Sequence, residues 1–319
     1  MDDRGAERRV LVVGEALVDL RHHAAEPSAQ PSEHPGGSPL NIAVGLARLG
    51  VPTTLAAQVG DDPRGQTITG HLTASGVDLV RVPPHRATAT ATAHVRPDGS
   101  AAYDFDVGWD PVRLPDPTGY RLVHVGSIGA SLQPGASAVL ELVRSAGSAA
   151  VPVSIDPNVR PAIAPVVDAT RELLEEMVAV ASVVKLSDED AAVLWPAEPL
   201  DSVQAALAAS PRGPLVAVTR GGAGATLTIG SQRACAAAPL VDVVDTIGAG
   251  DSFMSALLAG LVSRDLLDGR SWHDGVLDWL GELAADAAAI TCARAGADPP
   301  WQSELPSLAT GPDHRHRTA

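Results

Sequence analysis

Apolar positions along the chain alternate between two patterns. Short, nearly continuous apolar runs at Val10–Val13, residues 53–59, Leu122–Gly126, residues 151–155 and 183–185, and Leu215–Thr219 read as buried strands. Between them lie segments with helical spacing of apolar residues: 66–74, 134–145, 170–180 and 189–194. Ser38-Pro39 opens another helix, with Ser as N-cap, Pro in the first turn, a stripe at Ile42, Leu46 and Leu49, and Gly50 as the stop. Ala225–Ile229 and the piece after it read as an edge hairpin, and two long helices follow at 249–262 and 272–293. Strands separated by helices predict an α/β fold: a mostly parallel sheet with helices on both faces. Residues 87–95 and 101–107 flank a Pro97-Asp98-Gly99 turn and predict a hairpin. Its faces are only weakly apolar, which places it outside the main core. Residues 22–34 are polar and read as a loop or small extension. The tail from 310 to 319 is expected to be disordered.

Composition narrows the function. With 319 residues and 45% hydrophobic positions there is material for a large core. The formal charge of -15 disfavours nucleic acid and anionic membrane as partners. No apolar run is long enough to span a bilayer, and the charged start MDDRGAERR is no secretory signal, so a cytoplasmic enzyme is expected. Cys235 and Cys292 have neither disulfide-framework nor metal spacing. Among 23 basic residues only Lys185 is lysine, and no glycine run precedes it. A phosphate-binding loop that needs a lysine after its glycines is therefore excluded. Any nucleotide phosphate must be met by backbone amides, arginine or a metal. Gly14-Glu15-Ala16-Leu17 likewise lacks the glycine spacing of a dinucleotide fold.

Two glycine-rich helix starts carry the candidate chemistry. In Asp245-Thr246-Ile247-Gly248-Ala249-Gly250-Asp251, glycines precede a helix whose free amides attract anions, and Asp251 falls in its first turn. A carboxylate there can accept a proton from an attacking hydroxyl; it can equally complement the helix dipole. In Gly36-Gly37-Ser38-Pro39-Leu40-Asn41, the Asn41 amide could bind sugar hydroxyls, or the segment could be a simple capped turn. Asp19 reads as the end of the first strand, where α/β sheets bind ligands, or as a turn residue. The tryptophans read as packing residues. His22, His23 and His34 read as histidines of a polar loop rather than a metal cluster.

Taken together, GGSPLNIAVGLARLG and DTIGAGDSFMSALLAGL resemble the two signatures of the PfkB (ribokinase-like) carbohydrate kinases. GEALVDL, SIDPNVRP, VVKLSDEDAAVL, VTRGGAGATL and ITCARAGA extend the likeness over nearly the whole chain, closest to the fructokinase and 2-keto-3-deoxygluconate kinase branch. The resemblance implies a ribokinase-like three-layer α/β/α sandwich. Its main domain would take residues 1–20, 36–86 and 109–309, with a small β lid from 21–35 and 87–108. It implies ATP with Mg²⁺, a sugar acceptor and a fructokinase-like activity. A kinase of ribose, 2-keto-3-deoxygluconate or a nucleoside, or a non-catalytic regulatory homologue, is the alternative. Asp251 would be the base, with Gly248, Ala249 and Gly250 forming the anion hole. Asp19, Gly37, Asn41 and Arg160 would bind sugar; Lys185, Ser187, Thr219, Gly222 and Gly224 would bind nucleotide. Asp190 would reach Mg²⁺ indirectly, and Asp245 would face a monovalent cation such as K⁺. Adenine contacts would fall near Ala285 and Asp286. Lid edges of this kind allow a homodimer.

Overall fold

The computed structural model describes residues 8–22, 31–84, 86–95, 101–267 and 275–311. In chain order the first part holds β1 (Val10–Val13), β2 (Leu17–His22), β3 (Ser32–Gly36), α1 (Ser38–Arg48), β4 (Thr53–Ala57), α2 (Pro63–Ala74), β5 (Asp78–Arg81), β6 (Ala89–Val95) and β7 (Ala101–Asp106). The middle holds β8 (Leu122–Gly126), α3 (Ser127–Ser131), α4 (Gly135–Ser148), β9 (Val153–Asp156), α5 (Val167–Val178), β10 (Val183–Ser187), α6 (Asp188–Leu194) and α7 (Leu200–Ala208). The last part holds β11 (Leu215–Thr219), β12 (Ala225–Ile229), β13 (Gln232–Ala236), α8 (Ala249–Ser263) and α9 (Val276–Cys292).

Nine strands form the main sheet in the order β13-β12-β11-β10-β9-β8-β1-β4-β5. Seven run parallel, and the expected hairpin β12-β13 adds an antiparallel edge. Alternate residues point to opposite faces, so each strand feeds two cores. Val10 and Val12 pack with α1, α8 and α9 through Leu40, Leu257 and Leu280. Leu11 and Val13 pack with α4 and α5 through Val139 and Met177. Helices thus cover both faces, giving the three-layer sandwich.

A second sheet, β3-β2-β6-β7, stands apart. The expected hairpin is its β6-β7 half; the turn at 97–99 lies outside the described residues. The polar segment read as a loop or small extension contributes β3 to this small sheet, running one residue past the expected lid boundary at 35. Ser32–Gly36 has no apolar alternation, and its strand form comes from antiparallel pairing with β2. The boundary at residue 20 also moves. The chain leaves β1 at Gly14, where a Cβ would lie 2.5 Å from Pro39, so the small sheet takes Leu17–His22. Asp19 therefore does not end the first strand; it lies in mid β2, its backbone opposite His34 and Ala91. Of the expected tail, only 310 and 311 are described.

Candidate active site

The Asp245–Asp251 turn is built by two devices. Asp245 Oδ1 accepts from the Ile247 amide at 3.0 Å and Oδ2 from the Gly296 amide at 3.0 Å, tying the turn to the loop after α9. Gly248 caps α8 in a left-handed conformation (φ 76), and a Cβ there would lie 2.5 Å from that of Ala297. Ala249, Gly250 and Asp251 then form the first turn of α8, whose amides have no acceptor within the helix and attract anions.

Asp251 is 8% exposed. Ser38 Oγ donates to its Oδ1 at 2.6 Å, and Asn41 Nδ2 donates to its Oδ2 at 2.8 Å. The two glycine-rich helix starts therefore face each other across one carboxylate. Ser38 is not the cap of α1, which corrects the expectation; Gly37 holds that position at φ 101, and the Ser38 hydroxyl is spent on Asp251. Asp19 packs beside the same turn: a Cβ on Gly36 would lie 2.1 Å from its Oδ2.

Lys185 is buried in the middle of β10, and its Nζ donates to Asp156 Oδ2 at 2.8 Å. A Cβ on Gly250 would lie 3.0 Å from Nζ, so the lone lysine faces the start of α8. Burial opposes the ammonium charge, but Asp156, Asp190 and Asp251 outweigh it and hold the Lys185 pKa above its usual value. Asp156 is wholly buried, which pushes its carboxyl up to about 6 despite Lys185. Beside them His124 shares a hydrogen bond with Ser154 at 2.9 Å. Burial and the Lys185 charge push its pKa down to about 3, so it is neutral.

Other expected site residues are placed differently. Asp190 accepts from the Val159 amide at 2.7 Å through Oδ1, and from the Ser187 amide and hydroxyl through Oδ2. Ser187 in turn caps α6 by accepting from the Asp190 amide at 2.9 Å. The pair forms a capping box, and the Val159 bond pins the 158–159 loop to α6. Arg160 is exposed and donates to the carbonyls of Asn158 and Val159 in its own loop. Thr219 lies beside Ser187 at the strand ends, followed by the Gly221–Ala223 turn with Gly222. Gly224 (φ 85) is needed because a Cβ would lie 2.1 Å from the Ala236 carbonyl oxygen. Ala285 is buried on α9 and Asp286 is partly exposed beside it. His34 is exposed on β3, while the side chains of His22 and His23 lie outside the described set. Among the described residues no group of three metal-ligating side chains forms, and no helix is long and apolar enough to cross a membrane.

Sequence reasoning missed three residues of this region: Asp156, Glu15 and Ser38. Glu15 is 4% exposed in the crossover from β1 to the small sheet, and its Oε2 accepts from the Gly129 amide at 2.9 Å. Burial raises its pKa to about 7. The signal available for Asp156 and Glu15 was an acidic residue within two positions of a buried strand end. Only strand pairing shows that both are buried.

Comparison with known proteins agrees with this architecture. The pfkB family carbohydrate kinase profile matches residues 7–304. A fructokinase of Klebsiella pneumoniae is 33% identical over 296 residues, covering 89% of this chain and 91% of that one. A fructokinase of Escherichia coli is 30% identical over 308 residues, covering 94% and 98%. Vibrio cholerae fructokinase in its fructose, ADP and calcium-bound form superposes with a TM-score of 0.76 at 26% identity, covering 96% and 99%. Aminoimidazole riboside kinase of Salmonella enterica gives 0.77 at 25%, covering 94% and 99%. Fold and relatives together define a phosphotransferase that acts on an alcohol group. The chain belongs to the pfkB family of carbohydrate kinases.

Proposed function

We propose that this kinase transfers the γ-phosphoryl group of ATP to a hydroxyl of fructose, with Asp251 as the base. The observation that carries this reading is the position of Asp251. It is a buried carboxylate in the first turn of α8, within the helix end that binds anions, and α1 holds it through both oxygens. Ser38 and Asn41 orient it through both oxygens. An incoming sugar hydroxyl replaces one of these donors and gives its proton to Asp251. Its oxygen then forms the bond to phosphorus as the bond to ADP breaks. The amides of Gly248, Ala249 and Gly250, with Lys185, hold the phosphoryl group as charge redistributes. Asp19 from the small sheet, and Gly37, Asn41 and Arg160 from the main domain, would bind the sugar. Thr219, Gly222 and Gly224, near the strand ends, would line the nucleotide site. The lid keeps water, a competing acceptor, away.

Mg²⁺ bound to the nucleotide would supply the charge neutralisation this site needs. Three carboxylates, Asp156, Asp190 and Asp251, surround one ammonium, and a triphosphate enters such a cluster only with its charge neutralised. Asp190, whose oxygens accept from the Val159 amide and from Ser187, would act on that metal only indirectly. Asp245, which ties the turn before α8 to the loop after α9, would face a monovalent cation there.

Identity with several fructokinases over nearly the full length favours fructose. A riboside is the second reading, favoured by the match to the Salmonella riboside kinase. A coupled ADP-release screen over hexoses, pentoses, keto-sugar acids and nucleosides should give the highest kcat/KM with fructose. A higher value with a riboside or a keto-sugar acid overturns the sugar assignment. Silence across the panel overturns the kinase assignment.

A further inference from the structure

Three carboxylates lie around the Lys185 ammonium, and two of them are committed elsewhere. Asp251 is held by Ser38 and Asn41, and Asp190 by Val159 and Ser187. Only Asp156 bonds the ammonium. Asp156 also differs in what it leaves undone. Asp190 and Asp245 each tie down backbone amides with both oxygens. Asp156 Oδ1, wholly buried, has no hydrogen-bond partner among the described residues. A carboxylate placed to brace the chain would grip amides; this one grips a side chain.

The surroundings make such a pair costly. The same sheet face carries Leu122, Val183, Leu215 and Ala217, all fully or nearly fully buried. Buried ion pairs generally stabilise a fold no better than apolar residues of similar volume. Backbone geometry nonetheless enforces it. Asp156 is in register with Gly126, where a Cβ would come 2.0 Å from the Asp156 carbonyl oxygen. The end of β9 is thereby seated tightly against β8. Lysine has a long flexible stem and three ammonium donors. One is used on Asp156; among the described residues the remaining two take no hydrogen bond, and the ammonium faces Gly250 at the start of α8.

We propose that Asp156 is a positioning residue for phosphoryl transfer: through Oδ2 it anchors the Lys185 ammonium against Gly250, where the transferred group is held by the first-turn amides of α8. This rests on the reading of that turn as the anion hole. Asp156 touches neither sugar nor nucleotide; it removes the freedom of a side chain that does.

Full-length Asp156→Asn, Lys185→Met and the double variant test this with fructose, or with whichever sugar the screen ranks first. Lys185→Met should lower kcat about 10²–10³-fold, the worth of one preorganised donor. Asp156→Asn should lower kcat about 10–100-fold, as loss of an outer-shell orienting group does, with KM for the sugar unchanged. The double variant should be no slower than Lys185→Met alone, because Asp156 acts through the lysine. Wild-type kcat in Asp156→Asn, or losses that multiply in the double variant, overturns the proposal. Wild-type kcat in Lys185→Met instead overturns the phosphate role of Lys185, and Asp251→Asn tests the anion-hole turn separately. If Asp156→Asn is too unstable to assay, Asp156→Glu keeps the charge and displaces it by one methylene. It should then turn over more slowly at an unchanged melting temperature, and wild-type turnover in it is equally fatal.

Discussion

At the scale of single residues, Asp251 is defined by its partners. Hydrogen bonds on both oxygens fix its orientation, so removing the charge while keeping the shape isolates its chemistry. Asp251→Asn is expected to lower kcat about 10²–10⁴-fold, the usual worth of a general base, with ADP affinity by calorimetry little changed. Undiminished turnover would show that another group takes the proton. Glu15 leads to a different prediction. Its carboxyl titrates at about 7 in the fold against 4.5 ordinarily, because burial penalises the charge. The folded state thus keeps a proton that the unfolded chain releases between those values. The stability this group contributes is whole below pH 4.5 and is lost as pH rises through 7, amounting to about 3 kcal/mol. His124 runs the other way: its pKa is about 3 in the fold against 6.5, so its contribution is lost as pH falls between them. Glu15→Gln should therefore flatten the decline between pH 5 and 8 by about 3 kcal/mol, measured by denaturant unfolding. An unchanged decline would mean that Glu15 titrates like an exposed carboxylate.

At the scale of elements, the site is the meeting of two helix starts. Almost all of α8 is buried, from Asp251 to Val262, so it cannot shift to accommodate a change at its first turn. Glycines there differ in what they protect. At Gly248 an added Cβ meets Ala297, which costs folding; at Gly250 it meets only the movable end of Lys185, at 3.0 Å. Gly250→Val is thus expected to fold with a melting temperature near that of the parent, yet to lose about 10²–10³-fold in kcat by blocking the amides and displacing the lysine. Normal kcat in a folded Gly250→Val would place the anion hole elsewhere. The Asp245 side of the turn carries its own prediction. Potassium should raise kcat above that in a large organic cation, through an ion shared between Asp245 and the loop carbonyls around it. Equal rates in sodium, potassium and the organic ion would remove the cation site and leave the kinase assignment standing.

At the scale of the whole molecule, the architecture places one large sheet and one small sheet on either side of the same two helix starts. Much of this was legible in the chain. Strands and helices alternated visibly because apolar runs and helical stripes differ in period, and the glycine-rich turns before α1 and α8 stood out because few side chains fit them. Asp251 and Asn41 were nameable for the same reason. The strand β3 was not legible, because SEHPG becomes a strand only by pairing with β2. Asp19 was misplaced because nothing local shows that the chain leaves β1 at Gly14. Ser38 looked like a cap and proved to be a donor to Asp251, 213 residues away. The hydrogen bonds between Asp190 and Ser187 were not legible either. Local pattern determined which segments fold and which could approach an anion, since those follow from period and backbone freedom. Which carboxylate holds the lysine, and which are spent on amides, was decided by strand register and helix packing, because a side chain's partner depends on what other segments bring within 3 Å of it.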